Sequence, residues 1–201
     1  MESFNLSSAI KEIYQSQLRL FTIKTLKDLI PVKKESTFFK YLNQLVKKRV
    51  LIKISRGKYL LNNVKVSDFE LANFLYPPSY ISFETALNFW GILSQFPYEI
   101  ASATSRKTVV KNFEGKIFSY SHLDKSLFWG FKKVESFLIA SKEKAFVDQL
   151  YLYAKGLKRI NWDELNYQEI NKDILRAFLQ KYPQTKQFSK AINLLKTKLG
   201  L

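Results

Sequence analysis

One helix-length segment constrains the fold most strongly, because its two sides have opposite character. The sequence KKESTFFKYLNQLVKKRVLIKISRGKYLL spans residues 33–61, and its spacing predicts a helix over residues 35–48. At about 100° per residue, apolar side chains fall in one arc and polar side chains in the opposite arc. The apolar arc holds Phe38, Phe39, Leu42, Leu45 and Val46. Such a helix buries one side and leaves the other for solvent or a partner.

The segments around this helix predict a small three-helix unit. Residues 7–20 and 23–30 have helical apolar spacing, and Pro31 ends the second helix. After residue 48, an aliphatic run, the tight-turn sequence SRGK and the returning YLL predict a β-hairpin. Three helices followed by a hairpin are typical of a winged helix-turn-helix, which we expect over residues 1–63.

The remaining segments predict an α+β fold class. We expect a linking helix over residues 64–78, with a domain boundary at the double proline that ends it. Short alternating segments over 79–155 predict a mostly antiparallel sheet with flanking helices, including a buried helix after Ser141. Two amphipathic helices around Pro183 predict a C-terminal helical hairpin over residues 156–201.

Charge is concentrated near the predicted hairpin. The formal net charge is +16, and residues 33–58 hold nine Lys and Arg against one acid, whereas residues 76–154 are nearly balanced. A local cationic surface of this kind favours polyanions, either nucleic acid or an acidic membrane surface. No apolar run is long enough to span a bilayer, no signal-peptide pattern is present and cysteine is absent, so we expect a cytoplasmic protein without a membrane segment.

The polar arc of the predicted helix carries residue types that read DNA. Lysine pairs with guanine edges or phosphate, glutamine pairs with adenine edges, and hydroxyl groups contact either. The predicted DNA-binding residues are Lys34, Ser36, Thr37, Lys40, Tyr41, Gln44, Lys47, Lys48, Arg56 and Lys58. Of these, the lysines at the helix end and the two cations of the hairpin suit phosphate contacts. The alternative is an ordinary solvated face, which the one-sided charge and the adjoining basic hairpin disfavour.

Catalytic motifs are weak throughout the chain. The sole histidine, His122, has no nucleophile motif and no second metal ligand nearby, and the six glycines stand too far apart to form a phosphate-cradling loop. Glu143 and Asp148 are five positions apart on a predicted helix, so they do not share one face, and we expect capping or buried hydrogen bonds for both. We therefore expect neither enzyme activity, nor a cofactor, nor a metal site.

Motifs in the middle of the chain resemble the AbiEi family of antitoxin-type transcriptional regulators. The resemblance covers roughly residues 10–155 and includes YPPSYISFETALNFWGILSQFPYEIASAT, GKIFSYSHLDKSLFWGF and FLIASKEKAFVDQLY. The matching residues are Tyr80, Ile81, Ser82, Ala86, Leu87, Gly91, Ala103, Thr104, Phe118, Tyr120, His122, Phe128, Gly130, Ala140, Ser141, Glu143, Lys144, Ala145 and Asp148. The residue pair before Gly91, Phe89 and Trp90, is bulkier than in the family pattern.

The resemblance implies an autorepressor that binds inverted repeats in double-stranded promoter DNA, as a homodimer or cooperatively. Its operon would also encode an AbiEii-type nucleotidyltransferase toxin, which this chain would neutralise as the antitoxin. Two alternatives remain open at the level of sequence. One is a protein-binding antitoxin or adaptor that contacts its toxin directly. The other is a nuclease or nucleotidyltransferase, which would need clustered carboxylates that the middle region lacks.

Overall fold

The computed structural model describes residues 5–199, without the side chain of residue 199, and divides the chain into two compact units. The first unit ends at Ser67 and the second begins at Asp68. Residues 1–4 and 200–201, which belong to the expected first and last segments, lie outside the described residues. Both units combine helices with a sheet, so the α+β expectation is confirmed.

The first unit joins three helices to a three-stranded antiparallel sheet of order β1-β3-β2. Its elements are α1 (Leu6–Gln15), β1 (Leu20–Thr22), α2 (Ile23–Leu29), α3 (Glu35–Lys47), β2 (Leu51–Ser55) and β3 (Lys58–Leu61). The second and third helices and the hairpin match the sequence prediction, whereas the first helix ends at Gln15 rather than at residue 20, and β1 was not predicted. Phe21 of β1 is fully buried and joins the same apolar cluster as Ile13 and Leu26.

The second unit is built on a six-stranded sheet of order β6-β7-β5-β4-β9-β8. Its strands are β4 (Ser79–Ile81), β5 (Ile100–Thr104), β6 (Val109–Phe113), β7 (Lys116–His122), β8 (Phe131–Val134) and β9 (Phe137–Ala140). Its helices are α4 (Asp68–Leu75), α5 (Phe83–Phe89), α6 (Lys142–Ala154), α7 (Lys172–Gln180) and α8 (Lys186–Leu199). The sheet is mixed, because β5 pairs with β7 and β4 with β9 in parallel, while the other three pairs are antiparallel.

The expected boundary at residue 78 is wrong, because the predicted linking helix belongs to the second unit. Helix α4 packs on the sheet, and Tyr120 on β7 donates a hydrogen bond to the Ala72 carbonyl at 2.6 Å. The helix is also shorter than the expected span of residues 64–78. The helices α7 and α8 both pack against α6, so the C-terminal segment is part of the second unit as well.

Helix α6 is buried along most of its length and carries a buried ion pair. Lys144 and Asp148, both fully buried, lie one turn apart and bond to each other. The ammonium of Lys144 also donates to the hydroxyls of Tyr80 at 2.8 Å and Tyr182 at 2.7 Å, while Ser82 donates to Asp148 at 2.8 Å. Since a buried charge is costly unless it is paired, this network fixes α6 against β4 and the segment after α7.

The surroundings of the network lower the pKa of Lys144, chiefly through burial, although Asp148 opposes this effect. Burial, together with the charge of Asp148, raises the pKa of Tyr80 and of Tyr182. Gly130 allows the close approach: a Cβ there would lie 2.9 Å from Cδ of Lys144. The site therefore accommodates the lysine side chain only when residue 130 has no side chain.

Removing one partner of this ion pair is expected to destabilise the second unit strongly. Asp148→Ala leaves the Lys144 ammonium buried without its counter-ion, so the free energy of unfolding should fall by about 3–5 kcal/mol. The double variant Lys144→Met, Asp148→Ala removes both charges and should lose less than the single variant. Urea unfolding followed by tryptophan fluorescence measures both, because all three tryptophans lie in the second unit. An equal or larger loss in the double variant would contradict this account.

Candidate nucleic-acid interface

Helix α3 is oriented by the apolar residues that it buries in the first unit. Phe38, Leu42 and Leu45 are each at most 2% exposed and belong to the apolar cluster of the unit. These three residues define the inner side of the helix, as their sequence spacing predicts. The opposite side therefore faces away from the core of the first unit.

The outer side of α3 borders a shallow surface depression. The depression is lined by Ser36, Phe39, Lys40, Asn43, Gln44 and Lys47. Four of these six residues were predicted from the sequence, whereas Phe39 and Asn43 were not. The helical angle of Asn43, about 20° from that of Ser36, was the signal that could have identified it.

The sequence assignment of Phe39 to the buried arc is wrong. Its side chain is 42% exposed, and it packs edge-on against Phe38 with ring centroids 5.2 Å apart. At about 100° per residue, Phe39 lies about 90° from the centre of the buried arc, whereas Tyr41 lies about 70° from it. Consequently Tyr41, predicted on the outer side, is half-buried and packs against the apolar cluster.

The acid in the first turn of α3, Glu35, is paired within the first unit. The ammonium of Lys27 on α2 bonds to the carboxylate of Glu35 at 2.6 Å and lies 5.9 Å from the Phe39 ring centroid. This hydrogen bond with Lys27 lowers the pKa of Glu35. Lys34, which directly precedes the helix, is exposed, so the start of α3 presents positive charge.

The C-terminal end of α3 also presents cations. Lys47 and Lys48 are exposed in the last turn, where the helix dipole favours positive charge. Arg49 follows with a φ of 56°, and the Val50 amide then donates to the Leu45 carbonyl at 2.9 Å. The chain thus leaves the helix through a left-handed residue and enters β2 with Arg49 exposed at the turn.

The β2–β3 turn is fastened to the start of α2. The turn residues are Arg56 and Gly57, and the φ of 72° at Gly57 is the left-handed conformation that glycine adopts readily. The Gly57 carbonyl accepts a hydrogen bond from the Ile23 amide at 3.1 Å, and a Cβ at Gly57 would meet Ile23 Cγ1 at 3.4 Å. Arg56 is exposed and Lys58 is half-buried.

The structure therefore separates the ten predicted residues by exposure. Six have exposed side chains: Lys34, Ser36, Lys40, Lys47, Lys48 and Arg56. Four are half-buried: Thr37, Tyr41, Gln44 and Lys58. Gln44 nevertheless borders the outer depression, whereas Thr37 and Tyr41 do not. The exposed set, with Asn43 and Gln44, combines amide, hydroxyl and cationic groups that can donate hydrogen bonds to bases or phosphates.

Other candidate chemistry has little support from the arrangement of side chains. Over residues 5–199, no group of three or more His, Asp or Glu side chains is arranged to hold a metal ion. His122 is exposed, and its Nδ1 lies 2.8 Å from the Arg106 carbonyl oxygen. Glu143 accepts a hydrogen bond from the Asn171 amide at 3.0 Å, which confirms the expected buried bonding role. Within the same residues, no helix has the length and apolarity needed to cross a membrane.

Comparisons with known proteins give a likeness of fold. No family model matches the chain, and no curated protein sequence is similar to it. Among solved structures, the chain is similar to the crystal structure of the RV2827C protein from Mycobacterium tuberculosis, with a TM-score of 0.60. The aligned residues are 11% identical and cover 93% of this chain and 75% of that one. At this level of identity, the likeness shows the fold alone.

Truncating the two adjacent phenylalanines of α3 should have unequal effects. Phe38→Ala empties a buried site and should lower the free energy of unfolding of the first unit by about 3–5 kcal/mol. Phe39→Ala, at a partly exposed site, should cost less than about 1 kcal/mol. Hydrogen exchange of the first-unit amides under native conditions measures both losses. Similar losses for the two variants would place Phe39 in the core, as the sequence pattern first suggested.

Proposed function

We propose that the first unit is a winged helix-turn-helix and that the protein is a sequence-specific DNA-binding transcriptional repressor. One observation carries this proposal: the amide- and lysine-bearing side of α3 is exposed, opposite a side held in the core by Phe38, Leu42 and Leu45. The dimensions of the major groove admit a helix presented in this way. The adjoining β2–β3 turn serves as the wing.

The base-reading residues in this proposal lie in the outer depression of α3. Gln44 and Asn43 have the amide pair that bonds adenine, and Lys40 has the ammonium that bonds guanine. The exposed ring of Phe39 provides an apolar contact suited to a thymine methyl group. Tyr41 has a supporting role, because its ring helps to seat α3 on the core.

The phosphate contacts in this proposal surround the base-reading residues. Cations stand at the start of α3, at its end and on the wing: Lys34, Lys47, Lys48, Arg56 and Lys58. Hydroxyl groups of Ser36 and Thr37 lie in the first turn of α3, where they can bond phosphate or bases. Because cations supply most of the contacts, affinity should fall steeply with salt.

The DNA target is proposed from the resemblance of residues 10–155 to AbiEi regulators. The chain would bind inverted repeats in its own operon promoter and act as the antitoxin to an AbiEii-type nucleotidyltransferase toxin. Purified protein should therefore shift duplex DNA from upstream of its operon in an electrophoretic assay, and should not shift a scrambled duplex of equal length. Absence of a shift, together with stable co-purification with the neighbouring gene product, would favour the protein-binding antitoxin instead.

Two substitutions in the first unit should separate base reading from phosphate binding. Gln44→Ala should cost about 1–3 kcal/mol on the preferred duplex and little on random DNA, because it removes a base contact. Arg56→Ala should weaken both duplexes alike and lower the salt slope by about one contact, because it removes a phosphate contact. Fluorescence anisotropy at several salt concentrations measures both effects.

A matched control for the charge change is Lys190→Ala, which removes one cation from the exposed surface of α8 in the second unit. Its affinity and salt slope should equal those of the unchanged protein. If Gln44→Ala weakens the preferred and the random duplex equally, as Arg56→Ala is expected to do, the assigned roles are wrong. If neither variant changes DNA affinity, α3 and its wing do not form the interface.

A further inference from the structure

The segment between α5 and β5 exposes two large aromatic side chains. Phe96 is 90% exposed and Tyr98 is 91% exposed, with Pro97 between them. Side chains of this size normally cover much of their apolar surface when a chain folds, and they are enriched at protein interfaces. The residues 94–99 are named the aromatic loop below.

The backbone of the aromatic loop is fastened at both ends. The Asn88 side-chain amide donates to the Leu93 and Gln95 carbonyls, each at 3.0 Å. The Gln95 side-chain amide donates to the Glu164 carboxylate at 2.7 Å, and the Thr85 hydroxyl donates to the Glu99 backbone carbonyl at 3.1 Å. A loop whose backbone is held in this way loses little backbone entropy when it binds, so the positions from which Phe96 and Tyr98 project are preorganised.

The electrostatic surroundings of the aromatic loop differ from those of α3. No Lys or Arg occurs between Lys65 and Arg106, in a chain that has 33 such residues. Glu84 and Glu99 line a shallow depression together with the loop, and Lys158 bonds Glu84 at 2.9 Å while lying 3.8 Å from Glu99. Two carboxylates thus face one ammonium, which leaves a negative charge beside the rings. Such a surface repels nucleic-acid phosphates and attracts basic side chains.

We propose that the aromatic loop is a docking surface for a partner protein that presents an apolar pocket bordered by Lys or Arg side chains. Phe96 and Tyr98 enter the pocket as anchors, and Glu99 pairs with a basic residue at its rim. Anchors of this type contribute most of the binding free energy of an interface, while rim charges chiefly steer association. The surface lies in the second unit and does not depend on the proposed DNA binding by the first.

Site-specific crosslinking tests this proposal in the full-length protein. The photo-reactive residue p-benzoylphenylalanine is introduced at position 96 in cells that naturally produce the chain, and at position 14 as a control. Tyr14 is an exposed aromatic of the first unit, 54% exposed. Illumination should give an adduct with one protein from position 96 and not from position 14.

The captured protein is then purified and titrated by calorimetry against three forms of the chain. Binding to Phe96→Ser, Tyr98→Ser should be at least tenfold weaker than to the unchanged chain, because both anchors are lost. Binding to Glu99→Gln should be weaker and less sensitive to salt. Since both rings are exposed, the double variant should keep its melting temperature and its affinity for promoter DNA.

Several results would overturn the proposal. In the crosslinking experiment, these are an adduct of twice the chain mass, an adduct with nucleic acid, or no adduct beyond that of the position-14 control. In the calorimetry, the overturning result is a captured protein that binds the double variant as tightly as the unchanged chain. A loss of DNA affinity in the double variant would also overturn it, since the loop would then belong to the DNA interface. Failure of the α3 variants to affect DNA binding leaves these readouts unchanged, so the two proposals fail separately.

Discussion

Burial of one side of α3 is the constraint on which the arrangement of the first unit depends. Phe38, Leu42 and Leu45 meet side chains from α1, α2 and the small sheet, and this contact sets the rotation of α3 about its axis. The rotation of α3 in turn determines the direction in which its outer residues face. The cationic and amide groups of α3 are therefore displayed as a consequence of apolar packing rather than of any contact that they make themselves.

The second unit differs from the first, because its helix α6 places two charged side chains in the interior. The Lys144 ammonium has three oxygen partners, and Asp148 accepts from the lysine, two tyrosines and Ser82. These hydrogen bonds offset much of the desolvation cost of the two buried charges. They form only when β4, α6 and Tyr182 lie close together. The two units thus use polar side chains in opposite ways, displayed in one and enclosed in the other.

Much of this architecture could be predicted from the sequence, and the misses have physical reasons. The span of α3 and the buried character of α6 followed from apolar spacing, and the predicted start of α6 after Ser141 is confirmed. The strands β1 and β4 have only three residues each, too short for an alternating pattern, so they were missed. Ser82 stands at the N-cap position of α5, but its hydroxyl bonds Asp148, a partner 66 positions away that no local pattern reveals. At the candidate interface, the error at Phe39 arose because it lies near the edge of the apolar arc, where tertiary packing decides exposure.

The hydrogen bond between the Gly57 carbonyl and the Ile23 amide has a mechanical consequence. It ties the tip of the hairpin to the first residue of a helix that is more than thirty positions earlier in the chain. Since α2 also carries Lys27, which holds Glu35 at the start of α3, the hairpin tip, α2 and the beginning of α3 are linked by direct bonds. The hairpin that carries Arg56 and the helix that carries the outer side of α3 are therefore joined through α2, and the fold of the first unit sets the spacing between them.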